Sequence, residues 1–391
     1  MTAVVPPGFM DCFSELIALP SVSSIDPRFD MGNSKLAERL GEWLESLDFT
    51  VEYRQVGRNS AKINLVACRG PGERGLVLSG HTDTVPVTES AWRQDPFRLT
   101  ERDNRLYGLG AADMKCFFPL IIAAVREMDL DRLQRSLCIV ATCDEESTMS
   151  GARALVDAGG VPGRFALIGE PTGLKPVHLH KGIMMETIRL LGRSGHACDP
   201  ALGISALDGM RVVLNRLADW RDEIQVRWRN TAFGVPVPTL NFGCIHGGDN
   251  PNRICGECEL SIDLRILPGM ELEEIRAEIR RAVMQAVDGT GLTVEFHPVF
   301  AGLPAMQTDR DSKIVRLGEQ LSGMESGAVD FGTEGPYFNS LGMETLILGP
   351  GDIAQAHQAD EYLAMDRIRP MIEILRQMID RICMRKATDG D

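Results

Sequence analysis

The sequence predicts an α/β fold that is interrupted by a smaller, inserted α+β domain. In the first and last parts of the chain, short apolar runs with the length of buried strands alternate with helical stretches. Several of these runs end directly in histidine or carboxylate residues. The middle of the chain instead has the order strand–helix–strand–strand–helix–strand, which is typical of a small sandwich with one antiparallel sheet.

Composition excludes several classes of protein. The chain has 391 residues, enough for two domains, and 44% hydrophobic residues, which is ordinary for a globular protein. Its net charge of −14 argues against a nucleic-acid partner, because phosphate neutralisation needs a basic face. No apolar run approaches the roughly 18 residues of a membrane span, and residues 1–10 lack a signal-peptide pattern. We therefore expect a cytoplasmic protein that binds no membrane.

The ten cysteines are dispersed along the chain, and this distribution does not predict a disulfide framework. Cys255 and Cys258 form a C-x-x-C pair, but no second cysteine pair is present to complete a zinc site. Because they lie in a segment that alternates like a strand, we predict buried or half-buried thiols.

The first part of the chain leads to the stretch Ser-Gly-His-Thr-Asp-Thr-Val-Pro at 79–86. A predicted strand at 75–78 ends just before it and places His81 and Asp83 on one side of an extended chain. There the histidine could bind a metal, with Asp83 beside it, or could be an ordinary buried histidine at a strand end. The elements predicted before this point are helices 7–19 and 33–47 and strands 49–53 and 61–68.

Carboxylates follow the next elements at comparable positions. Asp113 lies in a tight turn before a predicted helix, where it could be only a helix cap. Glu145 and Glu146 follow one predicted strand and Glu170 follows another. Acidic runs are usually solvated, but in open α/β sheets the carboxyl ends of the strands line the ligand crevice, so we predict one shared site. The elements concerned are strands 137–142 and 165–168 and helices 116–128 and 150–157.

A phosphate-binding loop is an alternative interpretation of Gly108 and Gly110. The pattern lacks the third glycine of a dinucleotide fingerprint, and no lysine–serine pair follows it. We therefore favour a tight turn over nucleotide binding.

The pattern changes after Gly182, where alternating strands replace the earlier buried runs. The predicted domains are accordingly 1–182 with 299–391, and an inserted domain at 183–298. The inserted domain is predicted to contain strands 183–193, 239–246, 254–266 and 292–297 and helices 205–220 and 272–287. The elements predicted after it are helix 312–321, strand 345–348 and helix 365–383.

Two histidines and three carboxylates form a set that could hold two divalent metal ions. Nitrogen and carboxylate ligands without thiolates suit zinc, and cobalt is a plausible substitute. Glu145, beside the ligands, is free to act as a general base. The set predicts a metal-dependent hydrolase, and its members are His81, Asp113, Glu146, Glu170 and His357.

The chain resembles the di-zinc aminoacylase, carboxypeptidase G and desuccinylase superfamily of metallopeptidases in four motifs, at 79–86, 110–115, 144–146 and 169–172. Further segments resemble its acetylornithine deacetylase branch, and the match runs in order along nearly the whole chain. The resemblance implies a zinc-exopeptidase-like catalytic domain with a mixed central sheet, and an inserted ferredoxin-like lid and dimerisation domain. The further segments are 91–97, 105–115, 238–248, 252–270 and 348–363.

The resemblance also implies a role for each residue of the site. Asp83 would tune His81 from behind, and Glu145 would be the general base. His196, from the inserted domain, would stabilise the oxyanion across a dimer interface. The implied metal ligands are His81 and Glu170 for one ion, Glu146 and His357 for the other, and Asp113 as the bridge between them.

Substrate recognition is implied for a further group of residues. An arginine fork is the natural partner of an amino acid's carboxylate, and Arg253 or Arg265 could provide it. Glu334 could pair with the side-chain ammonium of ornithine or could lie in an ordinary exposed loop. The resemblance implies Asn252 and Arg265, with Arg253 as the second candidate for the arginine. Glu334, Gly349 and Gly351 complete the predicted substrate-binding residues, the two glycines through their backbone N–H groups.

The resemblance implies a homodimeric enzyme that deacetylates an N-acetyl amino acid, with N2-acetyl-L-ornithine as the first candidate and arginine biosynthesis as its setting. The alternatives within the same chemistry are acetylcitrulline, N-succinyl-diaminopimelate, another N-acyl amino acid or a dipeptide. An inactive metal-binding or interaction protein is the alternative of a different class. The presence of Glu145 beside all five ligands argues against it.

Overall fold

The computed structural model of the chain describes residues 8–72 and 74–385, apart from the side chain of Glu89. It divides into two compact units. The first unit comprises Met1–His178, Thr308–Gly327 and Thr333–Asp391, and the second comprises Leu179–Gln307 and Ala328–Gly332. The boundaries predicted from the sequence are 182/183 and 298/299. The functions assigned to the two domains stay predictions.

The elements of the described residues are numbered in chain order. The helices are α1 (Phe9–Ile17), α2 (Ser34–Glu45), α3 (Phe117–Arg126), α4 (Ser150–Asp157), α5 (Ala206–Arg227), α6 (Leu272–Ala286), α7 (Lys313–Ser322), α8 (Gly335–Ser340) and α9 (Ile368–Ile379). The strands are β1 (Thr50–Gln55), β2 (Ile63–Arg69), β3 (Leu76–His81), β4 (Thr100–Arg102), β5 (Arg105–Tyr107), β6 (Leu137–Thr142), β7 (Phe165–Ile168), β8 (Val177–His180), β9 (Gly182–Leu191), β10 (Thr239–Gly247), β11 (Glu257–Ile266), β12 (Thr293–Pro298), β13 (Met306–Gln307), β14 (Gly327–Val329), β15 (Glu344–Ile347) and β16 (Tyr362–Ala364).

The first unit is built on a mixed sheet in which six strands follow the order β1-β2-β6-β3-β7-β15. The last four are parallel to one another, whereas β1 and β2 are antiparallel to their neighbours. Every residue of β3 and β6 is buried, as expected of parallel strands that are covered on both faces. The carboxyl ends of the four parallel strands therefore lie along one edge of the sheet.

The core of the first unit consists of large apolar side chains from α2, α3 and α9 that pack against this sheet. Trp43, Phe117, Phe118 and Leu375 are all fully buried within it. At about 25 cal/mol per Å² of apolar surface, burial of such side chains contributes roughly 1.5–3 kcal/mol each. This core packs against the sheet whose strand ends carry the predicted site residues.

The second unit has the element order β9-α5-β10-β11-α6-β12 and an antiparallel sheet of order β10-β11-β9-β12. Along β9 buried and half-buried residues alternate strictly, which shows that one face of the sheet is covered. The buried side chains of α5 and α6, among them Met210, Leu217 and Ile279, belong to the same core as this face. This is the ferredoxin-like arrangement that the resemblance implied.

The main elements confirm the predicted α/β class, but several short elements escaped prediction. They are β4, β5, β8, β13, β14, β16 and α8, which have two to six residues each. Segments of this length carry too few residues to show a period. The predicted helix 7–19 begins at a residue outside the described ones, and its described part is α1. Helix α5 extends seven residues past the predicted end at 220, to Arg227.

The structure contains a disulfide between Cys68 and Cys138, which the dispersed cysteines did not predict. The two residues are opposite each other on the neighbouring strands β2 and β6, although 70 positions separate them in sequence. Spacing along the chain cannot reveal a pairing that depends on strand order. Cys255 and Cys258 are free and buried, which confirms the prediction made for them.

Among the described residues, no helix combines the length and the apolar character that a membrane span requires.

Candidate metal centre

The parallel strands and two connecting turns bring the predicted ligands of the first unit together. His81 is the last residue of β3, Glu146 lies four residues after β6, and Glu170 lies two residues after β7. Asp113 comes from the turn between β5 and α3, and His357 from the loop before β16. This convergence agrees with the single shared site that the strand ends predict.

Asp113 lies between the two histidines. Its Oδ1 is 3.1 Å from Nε2 of His81, and its Oδ2 is 3.7 Å from Nε2 of His357. One carboxylate therefore presents a different oxygen to each imidazole. A bridging ligand between two metal ions has this arrangement.

Each histidine has a further carboxylate beside it. Oε1 of Glu170 is 3.9 Å from Nε2 of His81, and Oε1 of Glu146 is 2.9 Å from Nε2 of His357. Potential ligand atoms of His81, Asp113 and Glu146 all lie within 4.8 Å of one another. The same is true of His81, Glu145 and Glu170.

A backbone carbonyl determines the tautomer of His81. Nδ1 of the buried His81 lies 2.9 Å from the carbonyl oxygen of Asp83, which can only accept a hydrogen bond. Nδ1 therefore carries the proton, and in the neutral ring Nε2 keeps a lone pair that faces Asp113. Orientation of a ligating imidazole through its other nitrogen is a common feature of metal sites.

The Asp83 carboxylate binds the turn that carries Glu145 and Glu146. It accepts hydrogen bonds from the backbone N–H of Glu145 at 3.3 Å and of Glu146 at 3.0 Å. Its nearest oxygen is 3.8 Å from Nδ1 of His81. The contact with His81 is thus made mainly by the Asp83 carbonyl, while the side chain fixes the neighbouring turn.

The carboxylates of this site repel one another in a buried environment. Burial raises the pKa of Glu170 well above its usual range, and the charge of Asp113 raises it further. Burial also raises the pKa of Glu145 well above normal, with Glu170 adding to the effect. The pKa of Glu146 is raised by burial and by Asp113, although its hydrogen bond from His357 lowers it. A bound cation would stabilise the charged forms of all of them.

The donor set fits divalent metal ions. Oε1 of Glu170 is buried and has no hydrogen-bond partner among the described residues, which would be costly in a site without a cation. Imidazole nitrogens and carboxylate oxygens without a thiolate suit zinc and related ions. The residues present therefore match the requirements of a two-ion centre.

Three further predicted residues of the first unit lie close to these turns. Glu334 is 1% exposed and accepts a hydrogen bond from the Ser79 hydroxyl at 3.2 Å. Gly349 donates its N–H to the Thr172 hydroxyl, and a Cβ there would meet the carbonyl oxygen of Glu170 at 2.3 Å. A Cβ on Gly351 would likewise lie 2.2 Å from the Ala112 carbonyl. Both glycines are required by close packing against the ligand-bearing turns.

The second unit contains the other predicted residues. The exposed His196 pairs with Arg253 in an isolated bridge, and the N–H of Ala197 donates to the Asn252 carbonyl at 3.0 Å. The structure thus brings three of these residues together. Arg253 lies shortly before the first residue of β11, whereas Arg265 is near the last residue of that strand. The guanidinium of Arg265 binds Asp263 through two hydrogen bonds.

Glu361 belongs to the structure of this site but was absent from the predicted residues. It is 2% exposed, and its carboxylate binds the turn that carries Asp113. The one signal in the sequence was its position in the segment 348–363, which resembles the acetylornithine deacetylase branch. The identity of its partners could not be read from the sequence.

Comparison with known proteins identifies the family. The sequence model of peptidase family M20/M25/M40 matches residues 77–381, which include every residue of this centre. The chain belongs to peptidase family M20/M25/M40. Members among the solved structures share its fold, including a metallo-carboxypeptidase of the M20 family from Sulfolobus solfataricus (TM-score 0.75, 16% identity, 96% of this chain and 99% of that chain). Another is a dinuclear metal binding peptidase from Bacillus subtilis (TM-score 0.67, 14% identity, 96% and 97%).

Curated relatives of the M20 chain are more similar in sequence. The acetylornithine deacetylase of Pasteurella multocida is 43% identical over 96% of this chain and 98% of its own length. The acetylornithine deacetylase of Photorhabdus laumondii is also 43% identical, over 97% of this chain and 98% of its own. The expected superfamily and branch are thereby confirmed.

The arrangement of ligands predicts a stepwise loss of metal. We expect the wild-type protein, loaded with zinc and desalted, to retain about two ions per chain, because Asp113 faces two sets of ligands. Glu170→Gln weakens one set and should leave about one ion, whereas Asp113→Asn weakens both and should leave less. Metal content by plasma emission spectrometry measures the difference.

Glu344→Gln is the control for this experiment, because Glu344 binds Arg164 at the start of β15, among residues that are not ligands. It should retain the wild-type metal content. Two ions in Glu170→Gln, held as tightly as in the wild type, would contradict the assigned ligand sets.

Proposed function

We propose that this M20 protein hydrolyses N2-acetyl-L-ornithine to L-ornithine and acetate. The observation that carries the proposal is the 42–43% identity to acetylornithine deacetylases over nearly the whole chain. The ligand cluster supports it, because amide hydrolysis is a reaction that two-ion centres perform. The substrate's acetyl carbonyl would be the group attacked.

The chain's own residues have separate tasks in this reaction. Divalent ions at the centre would polarise the acyl carbonyl and make a water molecule more acidic. Glu145, which is buried beside His81 and Glu170, would take the proton of the attacking water and pass it to the leaving nitrogen. Asp83 holds the Glu145 backbone, so it would keep this base in position.

His196 is proposed to stabilise the oxyanion of the tetrahedral intermediate from a second copy of the chain. Dimerisation through the second unit is supported by the open edge of its sheet. On β10, residues 243–247 are exposed, and Ile245 is 47% exposed there. The exposed apolar side chain of Leu207, at the start of α5, extends this surface, because its Cδ1 lies close to Gly248, the residue after β10.

Recognition of the two ends of ornithine is proposed for two different groups. Asn252 and Arg253, beside His196, would bind the α-carboxylate. Glu334 would bind the side-chain ammonium. One observation supports this pairing. Oε1 of Glu334 is buried and has no hydrogen-bond partner among the described residues, so the ammonium group of ornithine would provide one. We retain Arg265, Gly349 and Gly351 as further predicted substrate contacts.

Several finer features are part of the same proposal. Zinc is the proposed metal, with cobalt as a functional substitute, because the ligands are imidazoles and carboxylates. Formation of ornithine would place the enzyme in arginine biosynthesis. The cytoplasm remains the predicted compartment.

Replacement of the proposed base should abolish hydrolysis without loss of the metals. In Glu145→Gln we expect kcat for acetylornithine to fall by about 10²- to 10⁴-fold, because the group proposed to take the water's proton is removed. Metal analysis of the same preparation should still find about two ions per chain. An active Glu145→Gln enzyme would remove Glu145 from this role.

The substrate itself is tested with a panel of acyl amino acids after zinc reconstitution. We expect the highest kcat/KM for acetylornithine, ahead of acetylcitrulline, N-succinyl-diaminopimelate, a dipeptide and the neutral analogue N-acetylnorleucine. In Glu334→Gln the kcat/KM for acetylornithine should fall about 10- to 100-fold, since a charged hydrogen bond is lost, while N-acetylnorleucine is unaffected. An unchanged ratio between these two substrates would exclude Glu334 as the ammonium partner.

The role of His196 across an interface is tested by mixing two inactive variants. His196→Ala and Glu145→Gln are each expected to be inactive alone. After dissociation and random reassociation of equal amounts, mixed dimers should contain one complete site, so roughly a quarter of wild-type activity should return. Light scattering should show the dimer. A monomeric, fully active wild-type protein, or no recovery in verified mixed dimers, would contradict this role.

A further inference from the structure

The orientation of the Asp113 carboxylate depends on the backbone of the turn at residues 110–113. Asp113 faces both histidines of the centre, so a small rotation of its backbone would change both contacts. The turn enters through Gly110, whose φ of +80° is the left-handed region that favours glycine, and the Asp113–Met114 peptide bond is cis. Neither feature tells what holds the turn in place.

Glu361 holds this turn through three hydrogen bonds. Its Oε1 accepts from the backbone N–H of Ala112 at 2.7 Å and of Asp113 at 3.0 Å. Its Oε2 accepts from the N–H of Gly110 at 2.9 Å. A single buried carboxylate thus binds three of the four N–H groups between residues 110 and 113. Hydrogen bonds to a charged acceptor are roughly twice as strong as neutral ones.

Glu361 is itself fixed to the same part of the fold. Its carbonyl oxygen accepts the N–H of Gly108 at 3.1 Å. The strand that begins at the next residue, β16, pairs with β5, and Tyr362 is opposite Tyr107 in the register. The loop that carries His357, four residues before Glu361, is therefore connected through Glu361 and β16 to the turn that carries Asp113.

A buried lysine two residues after Asp113 also interacts with the charge of Glu361. Lys115 is fully buried, and burial lowers the pKa of its ammonium group to about 7, although the charge of Glu361 opposes this shift. Its Nζ donates to the carbonyl oxygens of Leu19 at 2.8 Å and Leu16 at 3.3 Å, at the end of α1. Burial of the Glu361 carboxylate is thus offset mainly by the three N–H groups that donate to it.

Glu361 is not a member of either group of candidate metal ligands. We propose that Glu361 is a positioning residue, which orients the Asp113 carboxylate between His81 and His357 and thereby sets the affinity and geometry of the metal centre. The inference rests on the proposed two-ion function of this site. If Glu361 only connected β16 to the turn, its replacement would not change the affinity for metal. A positioning role predicts that it does.

The test compares Glu361→Gln with the wild type and with Glu319→Gln. A glutamine has nearly the same shape, but its NH₂ group faces an N–H of the turn and cannot accept from it. Glu319 is a matched control, because it also accepts a backbone N–H, that of Ser326 at 2.8 Å, but lies on α7 among no candidate ligands. Circular dichroism of each metal-free protein verifies the fold.

Two readouts other than activity report on the metal. Calorimetric titration of the metal-free proteins with Zn²⁺ should show dissociation constants about 10- to 100-fold weaker in Glu361→Gln, as for other residues that support metal ligands. The visible absorption spectrum of the Co²⁺ form should change in band position or intensity, because the coordination geometry changes. Glu319→Gln should match the wild type in both. Glu361→Asp keeps the charge on a shorter arm and should recover part of the lost affinity.

Wild-type zinc affinities and an unchanged Co²⁺ spectrum in folded Glu361→Gln would overturn the proposal. If Glu361→Gln does not fold, Glu361→Asp decides the question, and wild-type values in that variant would overturn it as well. A wild-type protein that binds the metals but does not hydrolyse acetylornithine would refute the proposed substrate and leave the positioning role intact. The two failures are therefore distinguishable.

Discussion

The main physical constraint on the first unit is the mutual repulsion of several carboxylates that lie close together in a buried site. Asp113, Glu145, Glu146 and Glu170 come from different strand ends and turns, and their charges oppose one another. Two histidines and the divalent ions that fit between them are the groups that can make this arrangement favourable. The parallel sheet supplies the framework, because the carboxyl ends of β3, β6 and β7 lie at one edge. We therefore expect metal binding and the local structure of these turns to be linked.

Backbone hydrogen bonds to buried carboxylates fix the turns that carry the ligands. Asp83 binds the turn of Glu145 and Glu146, and Glu361 binds the turn of Asp113. In each case a buried carboxylate that accepts hydrogen bonds from backbone N–H groups stabilises a turn. Close packing completes the arrangement, since Gly349 lies against the backbone of Glu170. The geometry of the predicted centre thus also depends on residues outside the predicted ligand set.

The sequence predicted the parts of the fold and site that depend on strong local patterns. The buried runs that became β3 and β6 were recognisable by length and composition, and their ends indicated His81 and Glu146. The three-stranded sheet of β4, β5 and β16 was not predicted, because its strands have three residues each and β16 pairs with β5 across a long interval of sequence. The same limitation hid the partners of Glu361 and the Cys68–Cys138 disulfide, since these depend on which segments become neighbours.

The central claim is that Asp113 bridges two metal ions within the ligand set of the first unit. The most direct measurement is a crystal structure of the zinc-loaded protein with anomalous difference maps collected on both sides of the zinc absorption edge. Our account predicts two peaks about 3.5–4 Å apart, with one oxygen of Asp113 bound to each ion. A single peak, or two peaks of which only one contacts Asp113, would contradict it.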